Sequence, residues 1–274
     1  MLHYNTVTPL LRKILADLMI ADVFADFRLV GGTALSLYRG HRMSVDIDLF
    51  TDADYGSVDF DAMDTFLRTN YPYVDTNNYK VIGMGKCYFI GDNQLNCIKL
   101  DLFYTDSFID EALLIDGLRL ASIEEIIAMK LDVISRTGRK KDFWDIHELK
   151  DDYSISDMFN LHEKRHPYTH DRTALKVKFS DFESADGDFE PDCLRGKYWE
   201  FIKLDIIDFI NSINKWDRRI GKWGTVMLPT SFWSLSYPAW FLFCPEITPL
   251  LLNFDFKIII SSLISILISA SVSI

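Results

Sequence analysis

The sequence predicts an α/β fold, in which a small mixed sheet flanked by helices precedes a mainly helical C-terminal half. Apolar residues recur at helical spacing over residues 9–24. Polar and apolar residues alternate over residues 43–50 and again over 96–104, which is typical of half-buried strands. Helical periodicity returns over residues 122–136. Strands early in the chain and helices later together indicate the α/β class.

The remaining elements follow from local signals in chain order. A short strand over residues 27–30 ends at a Gly-Gly pair, and a helix over 33–38 stops at Gly40. A helix is expected over residues 59–69, and strands 80–90 and 96–104 should pair around a turn at 91–93. Ser122 and Glu125 form a predicted capping box for the next helix, which closes near Gly138. A helix over residues 141–149 follows, and then charged, aromatic-dotted segments to about Trp216, helical with loops such as 184–191.

Composition restricts the classes of function. The chain has 274 residues, 49% of them hydrophobic, so it can form a proper core. Its net charge of −11 gives little non-specific attraction to a phosphate backbone, so any nucleic-acid partner requires a local basic patch. The four cysteines lack CxxC spacing and indicate ordinary thiols of a reducing compartment, hence a cytoplasmic protein.

The C-terminal segment differs from the rest of the chain. Charges nearly vanish after about Gly221, and residues 258–274 are an uncharged run rich in Ile, Leu and Ser. As a helix this run would span about 25 Å, which is marginal for a bilayer. We favour a tail that does not belong to the enzyme fold, and the alternative is a membrane anchor over residues 258–274.

Two carboxylates share one face of the strand over residues 43–50. Val45, Ile47 and Leu49 are expected on one face, whereas Ser44, Asp46 and Asp48 point to the other.. The two carboxylates should lie about 7 Å apart at their Cβ atoms. Like charges at that separation repel unless a cation lies between them, and Mg²⁺ prefers such oxygen ligands.

A third carboxylate lies on a later strand. Over residues 97–104 the apolar residues take one face, whereas Lys99 and Asp101 take the other. A neighbouring strand with this aspartate would complete a site for two metals about 4 Å apart, the geometry used for in-line attack on phosphate. Two aspartates alone could equally be a solvated strand face.

A glycine turn upstream favours a phosphate site. Gly31, Gly32 and Thr33 form a strand-to-helix turn, where glycines let the backbone approach a phosphate and the helix N-terminus offers free N–H groups. Alone, the pair would be a tight turn. The glycine turn is followed by a strand with two aspartates and by a later strand with a third aspartate. This combination predicts a metal site that transfers phosphate groups.

The same residues resemble a known family. Gly31-Gly-Thr-Ala-Leu35, followed by Arg42-x-Ser-x-Asp-Ile-Asp48, resembles the AbiEii nucleotidyltransferase toxin family, a branch of the polymerase-β-like nucleotidyltransferase superfamily. Lys99-Leu-Asp101 is similar to its third-carboxylate strand, and Lys130 and Asp142 match its later motifs. The resemblance covers about residues 5–215. It implies a minimal nucleotidyltransferase fold with a catalytic core over 1–120, a helical domain completing the active site over 121–221, and an atypical hydrophobic tail over 222–274.

The resemblance implies transfer of a nucleoside monophosphate from an NTP to an acceptor, with Mg²⁺, or alternatively Mn²⁺. Asp46, Asp48 and Asp101 are the expected metal ligands, and Asp101 also helps to activate the acceptor. Phosphates are expected at Gly31, Gly32, Thr33, Ser44 and Lys130. The toxin members imply the 3′ end of tRNA as acceptor and a cognate antitoxin. The alternatives are a small-molecule nucleotidyltransferase of the antibiotic-modifying kind, which the acidic charge favours, and an inactive binding relative.

Two polar residues fall on apolar helix faces. Lys130 shares a row with Ile126 and Ile134, and there it either extends to solvent or enters a site to neutralise phosphate. Asp142 lies in a row with Ile146 and could cap its helix. The resemblance instead implies that Asp142 positions the attacking hydroxyl or accepts its proton. Asp145, one turn on, is expected to support it or to pair with Lys141 or Arg139.

Two further clusters carry weaker signals. Arg136, Arg139, Lys140 and Lys141 form the best basic cluster, either a solvated helix junction or a contact for RNA phosphates, and Arg42 could serve the same end. His162, His166 and His170 recur every four residues, but Pro167 interrupts the helix, so a zinc site is not expected.

Overall fold

A computed structural model describes residues 1–76 and 83–223, with side chains as far as residue 212. Residues 1–219 form one compact unit. The strands, in chain order, are β1 (Arg28–Leu29), β2 (Asp46–Thr51), β3 (Tyr73–Thr76), β4 (Gly85–Asn93), β5 (Asn96–Tyr104), β6 (Leu113–Ile115) and β7 (Leu118–Leu120). The α-helices are α1 (Pro9–Ile20), α2 (Gly31–Arg39), α3 (Phe60–Asn70), α4 (Ile123–Thr137), α5 (Lys140–Leu149), α6 (Ile155–Arg165), α7 (Arg172–Lys178), α8 (Glu183–Asp186) and α9 (Trp199–Trp223).

The seven strands seen in the described residues form one mixed sheet in the order β3-β4-β5-β2-β1-β7-β6. The pairs β2–β5 and β1–β7 are parallel, and the other neighbours are antiparallel. The predicted α/β class, with a mixed sheet and a helical C-terminal half, is therefore confirmed. The parallel β2–β5 pair matters most for function, because it brings two distant polar strand faces together.

The core lies between this sheet and the helices. Helix α1 begins at a Thr8 cap, whose hydroxyl accepts a hydrogen bond from the Leu11 N–H, and it contacts β2, β5 and β7. The apolar residues of β2 and β5 predicted to face a core, Ile47, Leu49, Leu100 and Leu102, are fully buried. Helix α4 contacts α2, α5, α6 and α7, so the helical half packs around it.

The strand around the aspartates is shorter than predicted. Strand β2 begins at Asp46, and Val45, expected on the core face, is 60% exposed. The preceding backbone bonds elsewhere: Met43 N–H donates to the Asp192 carbonyl and Ser44 N–H to the Thr6 carbonyl. The sheet therefore loses residues 43–45 because other segments take their hydrogen bonds.

Three other local predictions were wrong in detail. The hairpin turn lies at residues 94–95 rather than 91–93, because the Asn93 side chain accepts the N–H groups of Leu95 and Asn96. The capping box at α4 is half formed: the Ser122 hydroxyl accepts the Glu125 N–H, but the Glu125 carboxylate binds Ile109 N–H and Arg165. The loop expected over residues 184–191 starts within the short helix α8.

The predicted tail falls outside the described residues from residue 224 onward, as do residues 80–82 of the strand predicted over 80–90. Within the described part of the chain, no helix is long and apolar enough to cross a membrane.

Candidate functional site

Strands β2 and β5 place the three predicted aspartates at one surface. In the parallel register Asp48 is the partner of Asp101, and Asp46 is the partner of Lys99. Adjacent strands lie about 4.8 Å apart, and partners in register point to the same face. The structure thus brings together the three carboxylates that the sequence grouped from two separate strands.

The start of helix α2 lies against Asp48. Gly31 is the first residue of α2, has φ +68°, and a Cβ placed on it would lie 2.6 Å from Oδ2 of Asp48. Only glycine tolerates both this backbone conformation and this close approach. The preceding residue, Val30, provides no side-chain cap, so no cap engages the first N–H groups of α2. A Cβ on Gly32 would in turn collide with the guanidinium of Arg42.

Two hydroxyls connect this helix to the strand that carries the aspartates. The Oγ1 of Thr33 lies 2.7 Å from the Oγ of Ser44, and it also donates to the backbone carbonyl of Asp46. Both residues are buried. The predicted phosphate-binding residues Gly31, Thr33 and Ser44 are therefore adjacent, with the two hydroxyls fixing the approach to β2.

Asp101 has one engaged oxygen and one without a partner. Its Oδ2 accepts a hydrogen bond from Lys99, which lies two residues earlier on the same face. Its Oδ1 is buried with no hydrogen-bond partner among the described residues. Cys87, the register partner on β4, adds a thiol whose pKa is raised to about 11 by burial and by the neighbouring Asp101 carboxylate. The thiol is therefore protonated at neutral pH.

Asp46 and Asp48 differ in their surroundings. The carboxylate of Asp46 lies 3.5 Å from Nζ of Lys141 on α5. Burial raises the pKa of Asp48, and the neighbouring Asp101 raises it further, whereas Lys130 opposes the shift. Among the described residues, Lys99 and Lys141 form ion pairs with Asp101 and Asp46, whereas Asp48 has no ion pair.

These residues fit a divalent metal ion. Three carboxylates on two adjacent strands supply oxygen ligands of the kind that Mg²⁺ takes. The free, buried Oδ1 of Asp101 is the specific observation in favour, since a buried acceptor without a partner is uncommon. Lys99 forms an ion pair with Asp101, and Lys141 forms one with Asp46. A metal ion would compete with these two lysines for the carboxylate oxygens.

A buried charge network lies beneath this face. Lys130 on α4 is 2.7 Å from Asp142 and 2.8 Å from Asp145, both on α5. Asp145 also receives the guanidinium of Arg42 through Nε at 2.7 Å and Nη2 at 2.8 Å. His41 Nε2 lies 2.8 Å from the same carboxylate. One aspartate thus joins the segment after α2 to both α4 and α5.

The charges of the network reinforce one another. Burial would raise the pKa of Asp145, but Arg42 and Lys130 overcome it and hold that pKa well below its ordinary value. The pKa of Asp142 is also lowered, because Lys130 and Arg139 outweigh the effect of burial. Burial would lower the pKa of Lys130, but its two carboxylate partners raise it. Lys130 and both aspartates are therefore ionised at neutral pH.

Several sequence predictions around the network need correction. Asp145 pairs with Arg42 and Lys130 rather than with Lys141 or Arg139. Arg42, proposed as a phosphate contact, is buried and held by Asp145. Asp142 does accept the Arg139 N–H at the start of α5, as the capping alternative required, while also binding Lys130.

The predicted basic cluster is divided by the fold. Arg136 binds Asp132, Arg139 binds Asp142, and Lys141 faces Asp46. Lys140 is buried, with its Nζ 5.6 Å from the ring centre of Trp199. The four residues do not form one patch, although Arg139 and Lys141 remain near the carboxylate face.

Sequence reasoning missed Cys87 and His41 and did not place Lys141 in the site. Cys87 carries no motif, and it enters through the antiparallel pairing of β4 with β5. His41 directly precedes the motif arginine, but its partner Asp145 lies 104 residues away. The two-residue spacing of Lys99 and Asp101 on one strand did predict that this lysine shares the carboxylate face.

Comparisons with known proteins identify the family of the chain. A family model described as "Nucleotidyl transferase AbiEii toxin, Type IV TA system" matches residues 13–217, which is more than half of the chain. An uncharacterised protein of Aquifex aeolicus is 27% identical over 216 residues, covering 73% of this chain and 96% of its own length.

Solved structures with a similar arrangement include two bacterial proteins. JHP933 from Helicobacter pylori is 21% identical, with a TM-score of 0.49, covering 78% of this chain and 93% of its own. The nucleotidyltransferase toxin MenT4 of Mycobacterium tuberculosis is 15% identical, with a TM-score of 0.43, covering 74% of this chain and 85% of its own.

Proposed function

This chain belongs to the AbiEii nucleotidyltransferase toxin family, and from that premise we propose that it transfers a nucleoside monophosphate from an NTP to the 3′ end of tRNA. The reaction would require Mg²⁺, with Mn²⁺ as a possible substitute. The observation that carries the proposal is the meeting of Asp46, Asp48 and Asp101 on β2 and β5, against the glycine start of α2.

The three aspartates would hold the metal. A pair of divalent ions, when bound, would polarise the phosphate oxygens and stabilise the charge of the attacking and leaving oxygens. The protein's own contribution is rigid placement, because Asp48 and Asp101 are fixed by strand pairing and Gly31 by its backbone conformation. The free oxygen of Asp101 gives this site a ready ligand.

The nucleotide phosphates would lie along the start of α2. The N–H groups of Gly32 and Thr33 belong to the first turn of a helix without a side-chain cap, and such N–H groups favour anions. Thr33 and Ser44 are buried and bonded to each other, so their hydroxyls would hold the start of α2 against β2 while the backbone N–H groups bind the phosphates. Gly31 keeps this approach open, since any side chain there would collide with Asp48.

The acceptor hydroxyl would attack the α-phosphorus of the NTP. A new bond forms between the hydroxyl oxygen and this phosphorus, the bond to the bridging oxygen of the β-phosphate breaks, and pyrophosphate leaves with the electron pair. We assign the hydroxyl proton to Asp101, which passes it to solvent. Asp142 is a poor proton acceptor, because Lys130 and Arg139 lower its pKa. Its role is instead to position Lys130.

Lys130 would act on the phosphates through its charge. Its side chain is 7% exposed and already binds two carboxylates. It nevertheless lies close enough to Asp48 to oppose the rise in that residue's pKa, so its field reaches the carboxylate face. Residues 121–221, which supply Lys130, Asp142 and Lys141, would thus complete the site formed by residues 1–120.

The choice of acceptor rests on the toxin character of the family. A toxin of a toxin–antitoxin system implies a cytoplasmic protein, a blocked cellular process and a cognate antitoxin, and tRNA modification would stop translation. The net charge of −11 favours a small-molecule acceptor instead. Lys99, Lys141 and Arg139, around the carboxylates, are the side chains placed to counter that charge for an RNA end.

The test uses each of the four α-labelled NTPs with Mg²⁺ and total tRNA, followed by gel separation, and a parallel arm with aminoglycosides. Label entering tRNA in the wild type but not in Asp48→Asn supports the proposal. Label on an aminoglycoside alone would replace tRNA by a small-molecule acceptor. Absence of transfer to either, with a folded protein that still binds NTP, would indicate an inactive relative.

A further inference from the structure

Three histidines gather at the C-terminal end of α6, although Pro167 was expected to separate them. Helix α6 ends at Arg165, and the following turn is closed by hydrogen bonds from the N–H groups of Thr169 and His170 to the carbonyl of His166. The turn returns His170 to His162, with their Nδ1 atoms 2.8 Å apart. The ring centres of His162 and His166 are 5.0 Å apart.

An aspartate from another helix joins this group. Asp132 lies on α4, which packs against α6. Asp132, His162 and His166 each offer one ligand atom, and these atoms lie within 4.8 Å of one another. In a tetrahedral zinc site, with bonds of about 2.0–2.1 Å, neighbouring ligand atoms lie about 3.3 Å apart. Side-chain shifts of less than about 1 Å per residue would close the difference.

Two imidazole nitrogens in the cluster have no partner. His162 is 1% exposed, and its Nε2 is buried without a hydrogen bond among the described residues. The Nε2 of His166 is buried and unpaired as well. Buried polar atoms are usually bonded, so two unpartnered nitrogens on neighbouring rings are suited to bind one metal ion.

We propose that Asp132, His162 and His166 bind a divalent transition-metal ion, best represented by Zn²⁺. Two imidazoles and one carboxylate suit zinc, whereas Mg²⁺ prefers an all-oxygen set. Three protein ligands leave a fourth position for water. His170 takes the outer position, because its contact with Nδ1 of His162 fixes the ring and directs Nε2 inward.

One neighbouring cation, Arg136, would compete with a metal ion for the carboxylate of Asp132. Arg136 binds the carboxylate of Asp132 from one turn later on α4. Arg165 also lies near the cluster, but it is neutralised by Glu125 at 2.6 Å. Arg136 occupies one oxygen of Asp132, so a metal ion would bind the other oxygen or displace Arg136, and in both cases the positive charge of Arg136 opposes it. The ion would connect α4 to the end of α6 within the helical half. This site shares no residue with the aspartates of β2 and β5.

The test is metal binding by the full-length chain after chelator treatment and dialysis. Zn²⁺ is titrated calorimetrically, and Co²⁺ is followed by its visible absorption, which is intense for tetrahedral nitrogen and oxygen ligands. We expect one Zn²⁺ per chain at this site. Asp132→Asn and His166→Gln should weaken it at least about tenfold, and Arg136→Gln should strengthen it. These variants avoid the fully buried His162, so folding is preserved and can be checked by circular dichroism.

Two matched variants separate this site from the carboxylate site. Asp48→Asn removes a proposed Mg²⁺ ligand and should leave the cobalt spectrum unchanged. His3→Gln, which changes an exposed histidine elsewhere, should leave it unchanged as well. The proposal is overturned if no tetrahedral cobalt band forms. It also fails if His166→Gln binds Zn²⁺ as tightly as the wild type, or if Asp48→Asn alone abolishes binding.

Discussion

Asp48 and Asp101 are direct register partners on the parallel strands β2 and β5. Residues 53 positions apart in the chain thereby place two carboxylates side by side at one face. Burial and the charge of Asp101 raise the pKa of Asp48, so the pair is electrostatically unfavourable on its own. Such an arrangement persists in a fold when a cation relieves it during function.

Replacing Asp48 or Asp101 by asparagine should abolish nucleotide transfer while the fold is kept. Metal ligation supplies several kcal/mol of transition-state stabilisation, so we expect a loss of at least about 10³-fold in turnover. Without metal, Asp48→Asn should be as stable as the wild type or slightly more so, because a repulsive pair is removed. Single-turnover assays and urea unfolding measure the two effects.

The matched control is Asp54→Asn, an exposed aspartate in the loop after β2. It should retain wild-type transfer and stability. Transfer by Asp48→Asn at the rate of this control would remove the metal assignment.

Gly31→Ala should impair transfer beyond its effect on stability. The φ of +68° costs an alanine about 1–2 kcal/mol, and its Cβ would displace the Asp48 carboxylate. Gly117→Ala is the control, since Gly117 has φ +81° and nothing within 4 Å of a built Cβ. The two variants should lose similar backbone stability, but only Gly31→Ala should lose transfer per folded molecule. Equal activities would show that contact with Asp48 does not matter.

Asp145→Asn should destabilise the protein by about 3–5 kcal/mol, because it leaves the buried Arg42 without its carboxylate and Lys130 with Asp142 alone. The pH dependence has a definite sign. The pKa of Asp145 is lowered on folding, so its stabilisation is complete above the ordinary value of 3.8 and disappears as pH falls through the folded value. The difference between wild type and variant should therefore shrink only in acid.

Urea unfolding from roughly pH 7 to roughly pH 2 measures this difference. Lys13→Ala, which removes an exposed pair with Asp17, should cost at most about 1 kcal/mol. A variant as stable as Lys13→Ala at neutral pH would contradict the buried network.

Lys130→Met should lower both stability and transfer. Two buried carboxylates each lose one of their cations, which costs about 3–5 kcal/mol, although Asp142 keeps Arg139 and Asp145 keeps Arg42. The double variant Lys130→Met with Asp142→Asn should recover part of the stability but not the activity, if the ammonium also neutralises phosphate. Activity per folded molecule, measured with the NTP concentration varied, separates the two roles. Full activity in the double variant would make Lys130 purely structural.

The sequence predicted the carboxylate face because strand periodicity is local. Ile47 and Asp48 must point to opposite sides whatever the rest of the chain does. The same logic failed at Val45, since the strand ends where Ser44 bonds to Thr6 instead of the sheet. A pattern of residue types specifies faces, but it does not reveal which distant segment takes a given N–H group.

The buried network could not be predicted for the same reason. Sequence proximity suggests Lys141 or Arg139 as the partner of Asp145, whereas its partner Arg42 lies 103 residues away. Helical spacing correctly placed Lys130 on an apolar face. Only the packing of α4 against α5 and against the segment after α2 shows that carboxylates meet it there.

The pairing of Arg42 with Asp145 also bears on how the molecule folds and how it can be divided. Arg42 from the sheet-forming part is buried against Asp145 from the helical part, which also binds Lys130. A break in the chain between β7 and α4 would leave Arg42 without its carboxylate in one fragment and Asp145 without the guanidinium in the other. The two parts should therefore melt in a single transition, and separately expressed fragments should regain structure only when mixed.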